Sequence, residues 1–164
     1  MPLATHPRPI AAWHLSWSPA APTLASCSSD KSIRLYSFSP APHPTPTSPT
    51  YRFSQKTTIP TSHGRTVRSL AFSPTGTTLA TASFDATVGI WQQVDERGLD
   101  DGDGAEDGEG EWEAVEPLEG HDSECKSAEW SADGRLLASC SRDKSVWIWE
   151  GPSELDWGVM RVRR

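Results

Sequence analysis

The sequence predicts an all-β protein, a radial array of four-stranded units, and three observations carry that expectation. One stretch of text is written three times: LASCSSDKSIRLY (24–36), LATASFDATVGIW (79–91) and LASCSRDKSVWIW (137–149) align without a gap. Ahead of each stands a shorter apolar strand ending in Trp or Phe plus Ser, at HLSWS (14–18), SLAFS (69–73) and SAEWS (127–131). Residues that favour tight turns separate the runs. A unit built this way cannot bury both of its faces alone and must stack on its neighbours. Such arrays usually serve as docking surfaces.

Within the second unit the strands follow in order. Strand a is TVRSLAFS (66–73), strand b TLATASFD (78–85), strand c TVGIWQ (87–92) and strand d WEAVEPL (112–118). The a–b turn is Pro74-Thr75-Gly76, with Ala132-Asp133-Gly134 as its counterpart in the third unit. Both are tight-turn residue types. Strands a, b and c carry near-continuous apolar runs, as expected of sheets covered on both faces. Five of the eight tryptophans, Trp17, Trp91, Trp130, Trp147 and Trp149, fall inside these strands and are read as core.

Three units result, at 6–62, 63–120 and 121–164. Inserts interrupt the first two between strands c and d. Residues 39–50 hold five prolines in twelve positions, which favours extended, unpaired backbone. Residues 95–111 hold nine acids and one Arg, a composition that favours disorder. Removing those nine from the chain's 22 acids leaves thirteen, against fourteen remaining bases, so the net charge of −7 belongs to the insert and not to the body.

The third unit ends in ELDWGVMRVRR, where Trp157 matches Trp112 and the next Gly-His would fall just past Arg164. Since propellers have roughly four to eight blades, the expectation is an incomplete propeller whose array continues beyond this chain. The sequence has no apolar run near the ~20 residues that span a bilayer, and its three cysteines show no paired spacing. That composition fits a soluble protein of a reducing compartment.

His, Ser, Asp and an aromatic recur at fixed spacing. The second unit has His63, Ser83, Asp85 and Trp91; the third has His121, Ser141, Asp143 and Trp149. A hydrolase would need one such site, whereas a structural network recurs in every unit. These residues resemble the tetrad of the WD-repeat (WD40) β-propeller family, in which indole N–H, hydroxyl, imidazole and carboxylate form one hydrogen-bonded chain. The first unit departs from the pattern. Ser28 and Asp30 are in place, but Tyr36 replaces Trp, Arg8 stands where the spacing calls for His, and His6 lies two residues earlier. Cys27 and Cys140 share the strand-b position that Ala82 takes in the second unit, so they read as small buried side chains. With Cys125 the only further thiol, no cofactor or metal site is expected.

The run LEGHDSECKSAEW (118–130) followed by LLASCSRDKSVWIWE (136–150) is similar to the Ciao-type WD40 subunits of cytosolic iron–sulfur protein assembly. That resemblance implies a normally about seven-bladed propeller and a non-catalytic scaffold of the targeting complex. Such a scaffold is required to mature extramitochondrial iron–sulfur proteins. Its partners would be the other targeting-complex subunits, the iron-only-hydrogenase-like carrier and apo client proteins, in the cytoplasm and also the nucleus. The alternative is a generic WD40 interaction scaffold, either a ubiquitin-ligase substrate receptor or a chromatin-associated adaptor. No F-box-like segment precedes the units, and beyond the terminal RVRR there is no Lys/Arg cluster to favour nucleic acid.

In WD propellers the d–a loop and the b–c turn open on one face. The residue before each Asp and the residue just inside strand a project from it. Here these include Phe84, Arg142, Trp13, Arg68 and Lys126, the expected partner-binding surface. Arg and aromatic side chains dominate binding energy at interfaces, and Arg142 lies inside the SRDKSVWIWE signature.

Overall fold

The computed structural model describes residues 10–43, 50–94, 111–115 and 117–151, together with the backbone of 158–163. His6, Arg8, Trp157, the core of the Pro-rich insert and all but Glu111 of the acidic insert lie outside the described residues.

Twelve strands and no helix are present among the described residues. The first sheet runs β1 (Ala12–Trp17), β2 (Thr23–Ser28), β3 (Ser32–Pro40) and β4 (Tyr51–Pro60). The second runs β5 (Val67–Phe72), β6 (Thr78–Ser83), β7 (Val88–Val94) and β8 (Glu111–Ala114). The third runs β9 (Cys125–Trp130), β10 (Leu136–Ser141), β11 (Ser145–Glu150) and β12 (Gly158–Arg163). Each sheet is an antiparallel meander in chain order. β1 lies against β5, and β5 against β9, so the strands a are the neighbours at the centre of the array. This is part of a β-propeller.

The strand pattern departs from expectation in three places. Strand d of the second blade does not run unbroken over 112–118. β8 stops at Ala114, and pairing returns only as a bridge between Leu118 and Val88. Val115 N–H bonds Ile90 C=O, so three steps along strand d span two along β7. Pro117, which has no N–H to give, sits in that bulge. Second, the first residues of the Pro-rich insert are paired: Ser39 faces Arg52 and Pro40 faces Tyr51, extending the β3–β4 hairpin.

Third, among the described residues blade 1 is covered on one face only. Leu15 and Trp17 are 58% and 57% exposed, where their counterparts Leu70 and Phe72 in blade 2 are buried against blade 1. Trp17 is therefore not core, whereas Trp91 and Trp149 are.

Two apolar layers hold the blades together. Ala25, Cys27, Ile33 and Leu35 of blade 1 meet Leu70, Phe72, Leu79 and Trp91 of blade 2. Ala80, Ala82, Val88 and Ile90 of blade 2 then meet Cys125, Ala128, Leu137 and Trp149 of blade 3. The repeat register makes the first set of each layer equivalent. The same positions in blade 3 are Ala138, Cys140, Val146 and Ile148, and there Val146 is 42% exposed.

Side-chain hydrogen bonds add direction to these layers. Phe72 N–H donates to Ser16 Oγ at 3.2 Å, and Trp130 Nε1–H donates to the Ala71 carbonyl at 3.3 Å. The a–b turns close as the sequence suggested. Gly76 and Gly134 take φ of 75° and 73°, a left-handed conformation that glycine adopts without steric cost.

Candidate functional site

The repeated polar residues form one network per blade. In blade 2, Trp91 Nε1–H donates to Thr81 Oγ1 at 3.0 Å, and the same hydroxyl meets His63 Nε2 at 2.8 Å. His63 Nδ1 meets Asp85 Oδ2 at 3.1 Å, and the Gly64 amide donates to that oxygen at 2.8 Å. Blade 3 repeats the chain: Trp149 to Ser139 at 2.9 Å, Ser139 to His121 at 2.8 Å, and His121 to Asp143 at 2.9 Å. His63, Asp85, Trp91, His121, Asp143 and Trp149 thus meet as the spacing suggested.

Ser83 and Ser141 do not hold the hydroxyl position; Thr81 and Ser139, two residues earlier, do. Strand side chains two apart share a face, so both hydroxyls point the same way, and only the earlier one reaches the indole N–H. Leu79 pairs with Trp91, which sets Thr81 beside the indole, while Ser83 sits at the strand end against Val67. Ser83 and Ser141 pin the turns. Each Oγ donates to a d–a loop carbonyl, Arg65 at 3.3 Å and Ser123 at 2.9 Å. Each also accepts the amide of the following Asp, at 3.2 and 3.1 Å.

Among the described residues of blade 1, the carboxylate is met from strand c. Arg34, a buried strand-c residue, pairs with Asp30 Oδ2 and donates to Ser28 Oγ at 3.3 Å. A guanidinium from the strand thus meets the Asp of blade 1, as an imidazole from the loop meets that of blades 2 and 3. Gly89 stands at the equivalent position in blade 2. A Cβ there would lie 2.7 Å from Thr81 Oγ1 and 2.9 Å from His63 Nε2, so the glycine leaves room for the network. Trp147 stands there in blade 3, stacked on Trp149 with centroids 5.3 Å apart. Gly120 makes way for its ring, since a Cβ would come within 2.4 Å.

Burial works against ionisation of Asp30, Asp85 and Asp143. Hydrogen bonds from Arg34 to the first, from His63 and Thr87 to the second, and from Ser145 and His121 to the third outweigh it, holding all three carboxyls well below the usual range. Burial pushes the thiols of Cys27 and Cys125 up to about 12, so both stay protonated and act as apolar fillers. Among the described residues no three His, Cys, Asp or Glu side chains converge as a metal site.

These networks shape the face above them. The amides of Ser29, Phe84 and Arg142 each donate at 3.0 Å to the carbonyls of Ala11, Thr66 and Glu124. The residue before each Asp is thereby fixed beside the start of strand a. Trp13 and Phe84 approach with centroids 6.5 Å apart. Arg68 Cζ sits 5.1 Å over the Trp13 ring, and Lys126 Nζ 4.1 Å over Phe84. Cation–aromatic pairs of this kind contribute roughly 0.5–1 kcal/mol at exposed sites.

Two residues of this face were missed in the sequence, Arg65 and Glu124. Arg65 Cζ lies 5.9 Å from the Phe84 centroid, and its Nη2 is 3.3 Å from Glu124 Oε1. Glu124 Oε2 accepts from Lys126 Nζ at 2.7 Å and lies 3.8 Å from Arg142 Nη1. The available signal was spacing: Glu124 stands two residues before Lys126, just ahead of β9. Trp13, Arg68, Phe84, Lys126 and Arg142 are thus linked by contacts into one cationic and aromatic cluster, with Glu124 between Arg65, Lys126 and Arg142.

A repeated indole–hydroxyl–imidazole–carboxylate chain on stacked four-stranded blades defines a WD-type propeller, and the WD domain, G-beta repeat family matches residues 2–37, 54–92 and 112–150. The chain belongs to the WD40-repeat family. Among individual proteins it is 47% identical, over 165 residues, to the "Probable cytosolic iron-sulfur protein assembly protein 1" of Mycosarcoma maydis, covering 85% of this chain and 35% of that protein. The protein of the same name from Cryptococcus neoformans is 47% identical over 177 residues, covering 94% of this chain and 40% of its own length. That of Malassezia globosa is 57% identical over 100 residues, or 60% of this chain and 27% of the relative. The chain therefore spans between 27% and 40% of these curated relatives.

Proposed function

We propose that this chain is part of a non-catalytic scaffold of cytosolic iron–sulfur protein assembly, acting within the targeting complex that matures extramitochondrial iron–sulfur proteins. The observation that carries the reading is the joint one. The relatives are named for that assembly, and the residues flanking the networks form one exposed face of clustered Arg, Lys and aromatic side chains. Its partners would be the other targeting-complex subunits, the iron-only-hydrogenase-like carrier and apo client proteins, met in the cytosol and the nucleus. The cluster is cargo that passes between partners.

The His-Asp pairs support a structural role. His63 Nε2 is bonded to Thr81, and Thr81 in turn accepts the indole N–H of Trp91, so the hydroxyl is enclosed in the network.

Affinity purification of the full-length protein tests the reading. Targeting subunits should co-purify, and deletion of the gene should lower cytosolic and nuclear iron–sulfur enzyme activity while mitochondrial enzymes keep theirs. Recovery of ligase or chromatin subunits instead, with iron–sulfur enzymes untouched, would replace it with the generic scaffold.

A further inference from the structure

We infer that Glu124 is an internal carboxylate competing with the partner for the cations of this face, and that the element it competes with is a carboxylate-bearing peptide segment. The inference rests on the proposal that this face binds a partner. Three cations from two blades converge on the one side chain: Lys126 at 2.7 Å, Arg65 at 3.3 Å and Arg142 at 3.8 Å. The three contacts are unequal. Lys126 makes a short hydrogen bond, while Arg142 is too far for one and keeps its guanidinium fork unfilled towards Glu124.

Arg68 is a fourth cation of this face. Arg142 is 71% exposed, and Arg68 lies on the Trp13 ring with its Nη1 3.5 Å from the Trp13 carbonyl. Arg65, Arg68, Lys126 and Arg142 outnumber Glu124 and the exposed Asp122 on this face, while the Asp85 and Asp143 carboxylates beneath are taken up by their own networks. A planar fork matches a carboxylate with two parallel bonds. The occupant that complements this charge is a carboxylate, and Glu124 already offers one from within.

Glu124 is suited to competing and not to gluing the blades. Its carbonyl, fixed by the Arg142 amide at 3.0 Å, anchors the backbone, so the side chain is not needed for that link. The Glu124 side chain is 18% exposed, but the cations it meets are 40–71% exposed and stay solvated without it, and ion pairs with such exposed partners contribute little to stability. The hydrogen bond from Lys126, with the nearby charges of Arg142 and Arg65, lowers the Glu124 pKa and keeps it ionised at neutral pH. An ionised carboxylate held between these cations reduces the attraction felt by an incoming acidic group, and its effect fades as salt screens the face.

The test uses the full-length protein and a fluorescein-labelled hexaglutamate peptide, read by fluorescence anisotropy at two salt concentrations. Glu124→Gln should tighten binding roughly two- to fivefold and steepen its salt dependence. Glu124→Asp, which keeps the charge, should not tighten it, and Arg142→Glu should weaken it at least about fivefold. If Glu124→Gln leaves affinity unchanged or weakens it while Arg142→Glu still weakens it, Glu124 holds the cations in place instead. That overturns the competition and spares the binding face. Absence of hexaglutamate binding in wild type and Glu124→Gln alike, with targeting subunits still recovered in an Arg142-dependent way, overturns the carboxylate assignment. If Arg142→Glu alters neither peptide binding nor subunit recovery, the binding face itself is wrong.

Discussion

Trp91 and Thr81 share a hydrogen bond of 3.0 Å across neighbouring strands, and it connects the hydrophobic layer between blades to the polar face above. The indole packs with the apolar side chains of blade 1, while its N–H reaches the hydroxyl that also holds His63. Thr81→Val keeps the shape but removes the hydroxyl. Two buried groups then lose their partner, at a cost of about 1–3 kcal/mol each. Ser83→Ala removes a turn pin and should cost less, on the order of 1 kcal/mol. Chemical denaturation of both variants checks the ranking. A larger loss for Ser83→Ala would return the hydroxyl role to that residue.

Two glycine exchanges in blade 2 should move stability in opposite directions. Gly89→Ala drives a methyl into Thr81 and His63, each under 3.0 Å away, and should cost more than about 2 kcal/mol. Ala86 has φ of 77° in the b–c turn, where Lys31 and Lys144 take the equivalent conformation in their blades. Ala86→Gly relieves that conformation and should gain up to about 1 kcal/mol. Thermal melts of the pair settle both signs, and a stabilising Gly89→Ala would show the space at that site to be larger than described.

Acid should unfold the protein through its buried carboxylates. The folded pKa values of Asp85 and Asp143 are depressed, so each contributes stability that is full above the unfolded value near 4 and is lost as pH falls towards the folded one. Melting temperature should therefore fall steeply with pH below about 4. In Asp85→Asn and Asp143→Asn it should start lower and fall less. An unchanged slope in both variants would show that these carboxylates do not control acid stability.

The repeated text made the blades legible because each strand keeps its register with the next. Asp, His and Trp fall at fixed points of that register and were placed correctly relative to one another. The hydroxyl was misplaced because Thr81 and Ser83 share one side of β6, and spacing alone does not say which reaches the Trp91 N–H. Arg34 was overlooked for a different reason. A lone cation in strand c reads as a solvated side chain, and only the packed structure shows it buried against Asp30. Trp17 was misread as core because burial depends on a neighbouring blade face, which a repeat unit's own sequence does not contain.

The exposed apolar side chains at the two ends of the described array should make this chain self-associate. Leu15 and Trp17 at one end and Val146 at the other are exposed apolar side chains, where their blade 2 counterparts are buried. Exposed apolar patches of this kind promote association. Sedimentation velocity should show mass rising with concentration, and Trp17→Lys with Val146→Lys should reduce it. A single monomeric species across the range would contradict the expectation.

Arg142 and Asp143 are adjacent in the chain and should give opposite phenotypes. The Arg142 side chain is 71% exposed and that of Asp143 6%, because the b–c turn points one out from the face and the other into the network. Asp143→Ala strips His121 of its partner and frees the Asp122 amide, so it should cost about 1–3 kcal/mol of stability. Arg142→Glu leaves the network intact and should change the melting temperature little. It places a second carboxylate beside Glu124 and turns attraction for an acidic partner into repulsion. Loss of a hot-spot Arg typically costs about 2 kcal/mol or more in binding. In the full-length protein, Arg142→Glu should lower recovery of the targeting subunits and cytosolic iron–sulfur enzyme activity together, with mitochondrial enzymes spared. Full recovery and full activity from a folded Arg142→Glu protein would remove Arg142 as the anchor, and leave the aromatic pair of Trp13 and Phe84 as the part of the face to test next.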